Sequence, residues 1–488
     1  MHRPRRWLLV LAGLTAACAG DRAARRGSTV LFAYGADLET MNSLVTRSPL
    51  PRQVERYALL TTLARYDSAL QPEPYLARAW TWSADRRTLT FALHTEVRWD
   101  DGVPTTAKDV AWTLNAARDS VTGYPRYADL TAIQSVTALD DSTVAIRWSR
   151  APEGFPDVFT DLGILPAHLL SSVPDAQMRS APWNTRPIGN GPFRFVSFEH
   201  NRRWIFESNP DFPASLGGPP HLSRFIVVTV DEPTAKLAAL AGGELDFAGI
   251  TAIHVPFVRK DPRLQVLEYP LILPYGLVLN VRRPPFDDPK VRLALALAID
   301  RRAIIDGVLF GFGHVADGPV PPELPGYIPV PPIPFDPDSA RRLLGGHCPS
   351  FDIVTVGSGE AAVEQLIQAN LAAVGCQVGI RQYELATFNG MIYRAHDFSA
   401  AVMSIPGDPG LSYVHTIGDI TGLPLPDDPQ DAQRVLGEVH PVIWLYHARG
   451  VNGMNRRVHG VRMDARGELP TLATWTTATT ATTGTAVP

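Results

Sequence analysis

Cysteine is scarce in this chain of 488 residues: Cys18, Cys348 and Cys376 are the whole supply, enough for one internal disulfide at most. Charge of one sign is lacking too. A formal net charge of −4 gives no basic surface with which to hold nucleic acid. Past the N-terminus no uncharged stretch reaches the roughly 20 residues that a membrane-spanning helix needs, so the body is read as soluble. The histidines are scattered, without metal-ligand spacing. No Gly-x-Ser-x-Gly is present, and Gly357-Ser358-Gly359 has the wrong spacing for a nucleophile elbow. Gly311-Phe312-Gly313-His314-Val315-Ala316 imitates a dinucleotide loop in letters alone, because it follows a helical pattern rather than a strand. Hydrolase, metalloenzyme and dinucleotide chemistry therefore have no support, and neither an enzyme nor a cofactor is expected. No internal repeat and no flexible central linker divides the chain.

What is present begins at the N-terminus. Arg3, Arg5 and Arg6 form a basic region, Trp7 to Thr15 an uncharged apolar run, and Ala16-Ala17 precede Cys18. A basic start, a short apolar core and small residues before a cut site make an export signal. A cysteine directly after it makes Cys18 the expected lipidation site and new N-terminus, tethering the chain to a membrane. A plain secretory signal ending near a cysteine is the alternative. Arg5-Arg6 also suggests twin-arginine export, but its flanks fit poorly.

The body is too long for one core, and 45% hydrophobic with 19% charged residues place it among globular proteins. Strands are expected at Thr29 to Tyr34, around Leu89, Phe91 and Leu93, across a strand-turn-strand unit at 134–148, through a β-rich stretch at 189–207, and from Tyr275 to Val281. Helices are expected over 57–65, after the Thr106/Asp109 capping box, from Pro233 to Ala241, and along the stripe Val291, Leu295, Ala298, Ile299. Residues 319–337 are proline-rich and read as extended loop. From about Thr474 the chain is nearly all Thr and Ala, a disordered tail. Phe351 to Val356, Glu360 to Val374 and Val378 to Tyr383 read as a βαβ unit. Cys348 and Cys376 each stand just before one of its strands, so they are either bonded at one sheet edge or two small buried thiols.

Several blocks in order resemble a known family. They are Pro74-Tyr75-Leu76-Ala77-Arg78-Ala79-Trp80; Leu89 to Gly102 with Pro104 and Thr106 to Val110; Ile164 to Leu170; Ile188-Gly189-Asn190-Gly191-Pro192-Phe193; Asn209-Pro210-Asp211-Phe212; Gly243-Glu244-Leu245-Asp246; Asn280 with Pro285 to Asp288, Val291-Arg292 and Ala298 to Arg301; and Pro441 to His447. Over about 28–475 the chain resembles the peptide-type (family 5) extracellular solute-binding proteins of ABC importers, peptide- and nickel-type lipoproteins among them. Gly102, Gly189 and Gly191 are read as turn glycines, Asp109 as a helix cap, and Arg292 and Arg301 as packing residues.

The resemblance implies an α/β, two-lobed periplasmic-binding-protein fold, type II and of the large peptide-receptor variety, that closes on its ligand by a hinge. The implied division is a signal peptide at 1–17, an anchor linker at 18–27, lobe I at 28–275 with a β-rich subdomain inserted at 57–185, lobe II at 276–440, a return to lobe I at 441–475, and the tail at 476–488. The implied partners are a small molecule or oligopeptide, an ABC permease with its ATPase, and a membrane reached through the lipid. The receptor is expected to be exported and monomeric, with no nucleic acid.

Four ligand-facing segments carry over: Arg47, Ser48, Pro49 and Leu50; Tyr124 and Tyr127; Gly357, Ser358 and Gly359; and Ile405 to Asp408. Each has a plainer reading. Ser358 is a candidate helix N-cap, the two tyrosines candidate packing residues, and Arg47 a solvated cation. Family members that bind peptides commonly hold the ligand ammonium with an Asp three residues before an Asp-Pro dipeptide. Here Asp408-Pro409 puts Ile405 there, and no Arg stands at 357–359. An apolar or weakly charged ligand fits such a site better. The segment between Asp408 and Pro441 is read as short and lacking a helix pair. That trait and Ile405 support the alternative of a non-transporting surface or sensory protein on the same scaffold.

Overall fold

In the computed structural model, residues 27–152, 154–357 and 359–478 are described. The export signal, Cys18, Ser358 and the Thr/Ala stretch from 479 lie outside them. The chain forms two compact units, one ending at Glu268 and resuming at Val451, the other running from Tyr269 to Gly450.

The first unit is built on a sheet in which Thr29–Tyr34 lies parallel to both Phe247–Gly249 and Arg224–Thr229. Arg203–Ser208 and Phe193–Glu199 extend it antiparallel. A separate antiparallel sheet runs Ala77–Trp82, Thr88–Leu93, Thr143–Trp148, Ile133–Ala138. Alternation explains the second of these strands: Leu89, Phe91 and Leu93 are buried, while Thr88, Thr90 and Ala92 are half-buried. Helix Ala107–Ala117 packs beside Ile133–Ala138 and Thr143–Trp148 behind a complete capping box. There Asp109 accepts from the Thr106 N–H and, with its other oxygen, from the Ala167 N–H. One continuous core includes Phe32, Leu59, Phe91, Phe159 and Trp475.

The second unit has a sheet ordered Val378–Tyr383, Phe351–Val356, Ala400–Ser404, then Leu264–Leu279 and Val442–Asn455, with Gly313–Val315 added on the last. The first two strands are parallel, and Ala400–Ser404 is parallel to Phe351–Val356. Helices Pro289–Ala298 and Ala362–Ala373 bury Leu295, Ile367 and Leu371 in its core. Cys348 and Cys376 form a disulfide with Cα atoms 4.7 Å apart, just before the two parallel strands.

Several expectations need correction. Of the helix expected over 57–65, only 57–59 are helical and 60–65 are not. The helix is Pro49–Val54, closed by a π turn at Glu55–Leu59. Past it the backbone is claimed by distant partners: Asn190 and Gly191 N–H donate to the Leu59 carbonyl, and Thr61 N–H donates to the Asn190 side chain. Gly189 and Gly191 are close-approach rather than turn glycines, since a Cβ there would lie 2.2 Å from the Leu59 carbonyl oxygen and 2.5 Å from that of Ala58. Gly102 does hold a positive φ of 87°.

The segment after Asp408 does contain a helix pair, Tyr413–Thr421 and Pro429–Val439. The first ends on left-handed Gly422. The second starts with Asp428 accepting from the Gln430 and Asp431 N–H groups and with Pro429 in its first turn. Residues 269–275 and 441–450 belong with the second unit, not the first lobe, because Tyr275 pairs with Ser404 and Gly313 with Ala448. Residues 475–477 are not disordered tail: Thr476–Thr477 pairs with Val458–His459, and buried Trp475 stacks on Phe247 at 4.7 Å.

Candidate functional site

In the first unit, Arg47 and Pro49 are exposed and Ser48 is half-buried. Ser48 takes the N-cap position of Pro49–Val54 but accepts no capping hydrogen bond. Leu50 is buried in the core. The helix and the π turn after it each aim an arginine at Asp161: Arg52 pairs with it, and Arg56 reaches its other oxygen at 2.8 Å. Arg126 joins the same carboxylate and also pairs with Asp129 and Asp157. Tyr124 is 5% exposed, and its buried hydroxyl has no hydrogen-bond partner among the described residues. Burial pushes its phenol pKa up, against the pull of the Arg126 and Arg52 guanidiniums. Tyr127 is 36% exposed. The two tyrosines are therefore not a shared aromatic face; one packs against an arginine–aspartate network and the other borders solvent. Sequence reading missed Arg52, Arg56, Arg126, Asp157 and Asp161. Pairs such as Arg52 and Asp161, 109 positions apart, leave no local pattern.

Glu55, which stands between Arg52 and Arg56 at the start of the π turn, is buried, and desolvation pushes its pKa up to about 8 despite the Thr46 hydroxyl and the two arginines. The Thr46 hydroxyl lies near both the Asn42 carbonyl and a Glu55 oxygen. It has one proton, so a protonated Glu55 donating to it satisfies all three groups.

In the second unit the three mutually parallel strands end together at Val356, Tyr383 and Ser404, the edge at which open α/β sheets receive ligands. Topology brings Gly357, Gly359, Ile405 and Asp408 to that edge. Gly357 N–H donates to the Tyr383 carbonyl, and the Gln382 amide donates to the Gly359 carbonyl at 2.8 Å. The helix after this loop has Ala361, not Ser358, at its N-cap position. Ile405 is 2% exposed with its N–H on the Pro274 carbonyl, so its side chain is packing. Asp408 accepts from the Ser412 hydroxyl at 2.7 Å. Arg292 and Arg301 bind backbone carbonyls, among them those of Phe286 and Ala316. Among the described residues no group of three or more His, Cys, Asp or Glu is placed to hold a metal ion, and no helix is long and apolar enough to cross a membrane.

Comparison with known proteins fits this architecture. The oligopeptide-binding protein AppA from Bacillus subtilis, solved with a nonapeptide, superimposes with a TM-score of 0.74 at 21% identity, covering 93% of this chain and 99% of that one. HbpA2 from Haemophilus parasuis gives 0.79 at 21% identity, covering 92% and 100%. At such identity these likenesses establish the fold, an α/β receptor fold, and nothing about the ligand.

A Brucella ovis relative named as an ABC transporter peptide-binding protein is 32% identical over 335 residues, 65% of this chain and 62% of its own length. The chain thus spans less than two thirds of that relative. Di/tripeptide-binding protein 2 of Pseudomonas aeruginosa is 29% identical over 385 residues, 71% of this chain and 70% of that protein. The family described as bacterial extracellular solute-binding proteins, family 5 (middle), matches residues 71–415. With most of its length inside that match, the chain belongs to the family 5 extracellular solute-binding proteins.

Proposed function

We propose that this protein is an exported receptor that captures a small ligand, an oligopeptide or similar, and delivers it to an ABC importer without converting it. The observation that carries this is the family match across 71–415, and the names of the Brucella and Pseudomonas relatives point to peptides. Arg47, Ser48, Pro49 and Tyr127 in the first unit, and Gly357, Ser358, Gly359 and Asp408 in the second, are the proposed ligand-facing positions. Tyr124 and Ile405, both buried, are assigned to packing in the same segments. The receptor is proposed to be a monomer tethered through a lipid on Cys18. The helix pair after Asp408 removes one of the two supports for a non-transporting role.

A thermal-shift screen tests the reading. A ligand held at a hundred times its Kd adds about 2.7 kcal/mol of stability, so at least one peptide class should raise the melting temperature by several degrees and be recovered intact. Absence of any shift with peptides, amino-acid derivatives, sugars and metal chelates would refute the receptor, and turnover of a bound compound would refute the non-catalytic role. Lipid-precursor labelling should disappear in Cys18→Ala, and labelling that persists would place the anchor elsewhere.

A further inference from the structure

Three arginines and three aspartates neutralise one another around Asp161. Arg52 and Arg56 both pair with it, and Arg126 spans Asp161, Asp157 and Asp129. Glu55 is a fourth acid in this group, and no cation is left over for it. It is 2% exposed, and among the described residues its carboxyl is hydrogen-bonded to the Thr46 hydroxyl alone. The elements packed on its turn bring no further cation. Phe193–Glu199 carries Arg194, paired with Asp100 and Asp211, and Glu199, paired with Arg202 and Arg203. Leu472–Thr474 carries no charge. In the returning chain Arg466 pairs with Asp464 and offers Arg56 its carbonyl, while Glu468 meets Gln53.

The arrangement sets what a proton does. Protonated, Glu55 donates to Thr46, the Thr46 hydroxyl donates to the Asn42 carbonyl at 2.8 Å, and both arginines stay on Asp161. Ionised and buried, it needs a cation, and the cations acting on it are Arg52 and Arg56. Whichever it takes is taken from Asp161. Helix Pro49–Val54, with Arg47 and Ser48 in front of it, is then held to helix Val158–Asp161 by one arginine fewer.

We propose that Glu55 is a proton-operated catch: while it is neutral, segment 46–56 is locked onto helix Val158–Asp161, and when it ionises the segment is released. The segment carries Arg47, Ser48 and Pro49, so the catch makes this proposed ligand-facing loop responsive to pH. It goes beyond the receptor reading and is measured without ligand, so either can fail while the other stands. Glu55 titrates at about 8 when locked, against 4.5 in water. Release therefore grows as pH rises from 4.5 to 8, by up to about tenfold per unit, and levels off above 8.

The test is amide hydrogen exchange of the full chain from pH 5 to 9, corrected for the intrinsic rate. Protection of 46–56 should fall about tenfold or more between pH 6 and 8, with strand Thr88–Leu93 changing by less than about twofold. Glu55→Gln keeps a donor to Thr46 and cannot ionise, so its protection of 46–56 should stay within about twofold over the same range. The native chain decides by itself if that variant does not fold. Flat protection of 46–56 in the native chain, an equal fall in Thr88–Leu93, or a fall in Glu55→Gln as steep as the native one would overturn the catch.

Discussion

A carboxylate that solvent does not reach must be held on every side, and Asp246 shows how. It is fully buried. Both oxygens meet the Arg457 guanidinium at 2.7 Å, and one also receives the Leu31 N–H. The residue ends the Gly243-Glu244-Leu245-Asp246 block, whose meaning was hidden in sequence because Arg457 stands 211 positions away. Through this pair the returning chain is fastened to the first strand, and Arg457 also donates to the Thr29 carbonyl. Removing one partner strands the other, so Asp246→Ala should lower stability by about 3–5 kcal/mol in urea denaturation. Asp246→Asn, which keeps the shape and one acceptor, should cost less. Equal losses would mean that charge alone, and not shape, holds the site.

Elements were legible where local chemistry decides them. The alternation of Leu89, Phe91 and Leu93, the Thr106 box and the run Pro233–Ala241 depend on neighbours within a few residues, and each stands where it was read. The failure at 57–65 has the opposite cause: Leu59 and Thr61 exchange hydrogen bonds with 189–191, beyond the reach of any periodicity. The helix pair after Asp408 was concealed by prolines and glycines that cap helices as well as break them. Half the candidate site was legible in the same sense. The 357–359 loop follows a strand, whereas 47–50 runs into helix Pro49–Val54, and nothing near Tyr124 announces Arg52 or Asp161. At this scale the disulfide joins the starts of two parallel strands whose ends carry the 357–359 loop and Leu385. With the cysteines 28 positions apart, replacing both with serine should cost about 2–4 kcal/mol. The chemical-denaturation midpoint measures that loss. If the strand starts also order the far edge, the same variant should weaken ligand binding.

Across the whole molecule the two units respond to pH in opposite senses. In the second unit His447 is buried, and its ring lies 5.2 Å from that of His314 on the paired strand. Burial, reinforced by His314 and opposed by a Gly318 backbone hydrogen bond, lowers its pKa from 6.5 to about 3. The folded unit keeps it neutral while the unfolded chain takes up a proton, so this stability is whole above pH 6.5 and is lost as pH falls toward 3, by at most about 1.4 kcal/mol per unit. His440, lowered by burial and then by Arg292, adds in the same direction. In the first unit the neutral form of Glu55 is favoured up to about pH 8, against 4.5 when unfolded, so its contribution is whole below 4.5 and is lost as pH rises to 8. Asp100, raised to about 6 chiefly by burial, follows it. Between pH 4.5 and 6.5 both trends act at once, and the melting temperature should vary little. Single substitutions separate them. Glu55→Gln should flatten the decline between pH 6.5 and 8 and unmask a loss of stability as pH falls from 6.5 to 4.5, whereas His447→Gln should leave the limb above pH 6.5 unchanged and make stability rise as pH falls through that window. Melting curves across pH 4 to 8 measure both limbs. A His447→Gln variant that also moves the limb above pH 6.5 would show that the units do not carry their pH dependence separately.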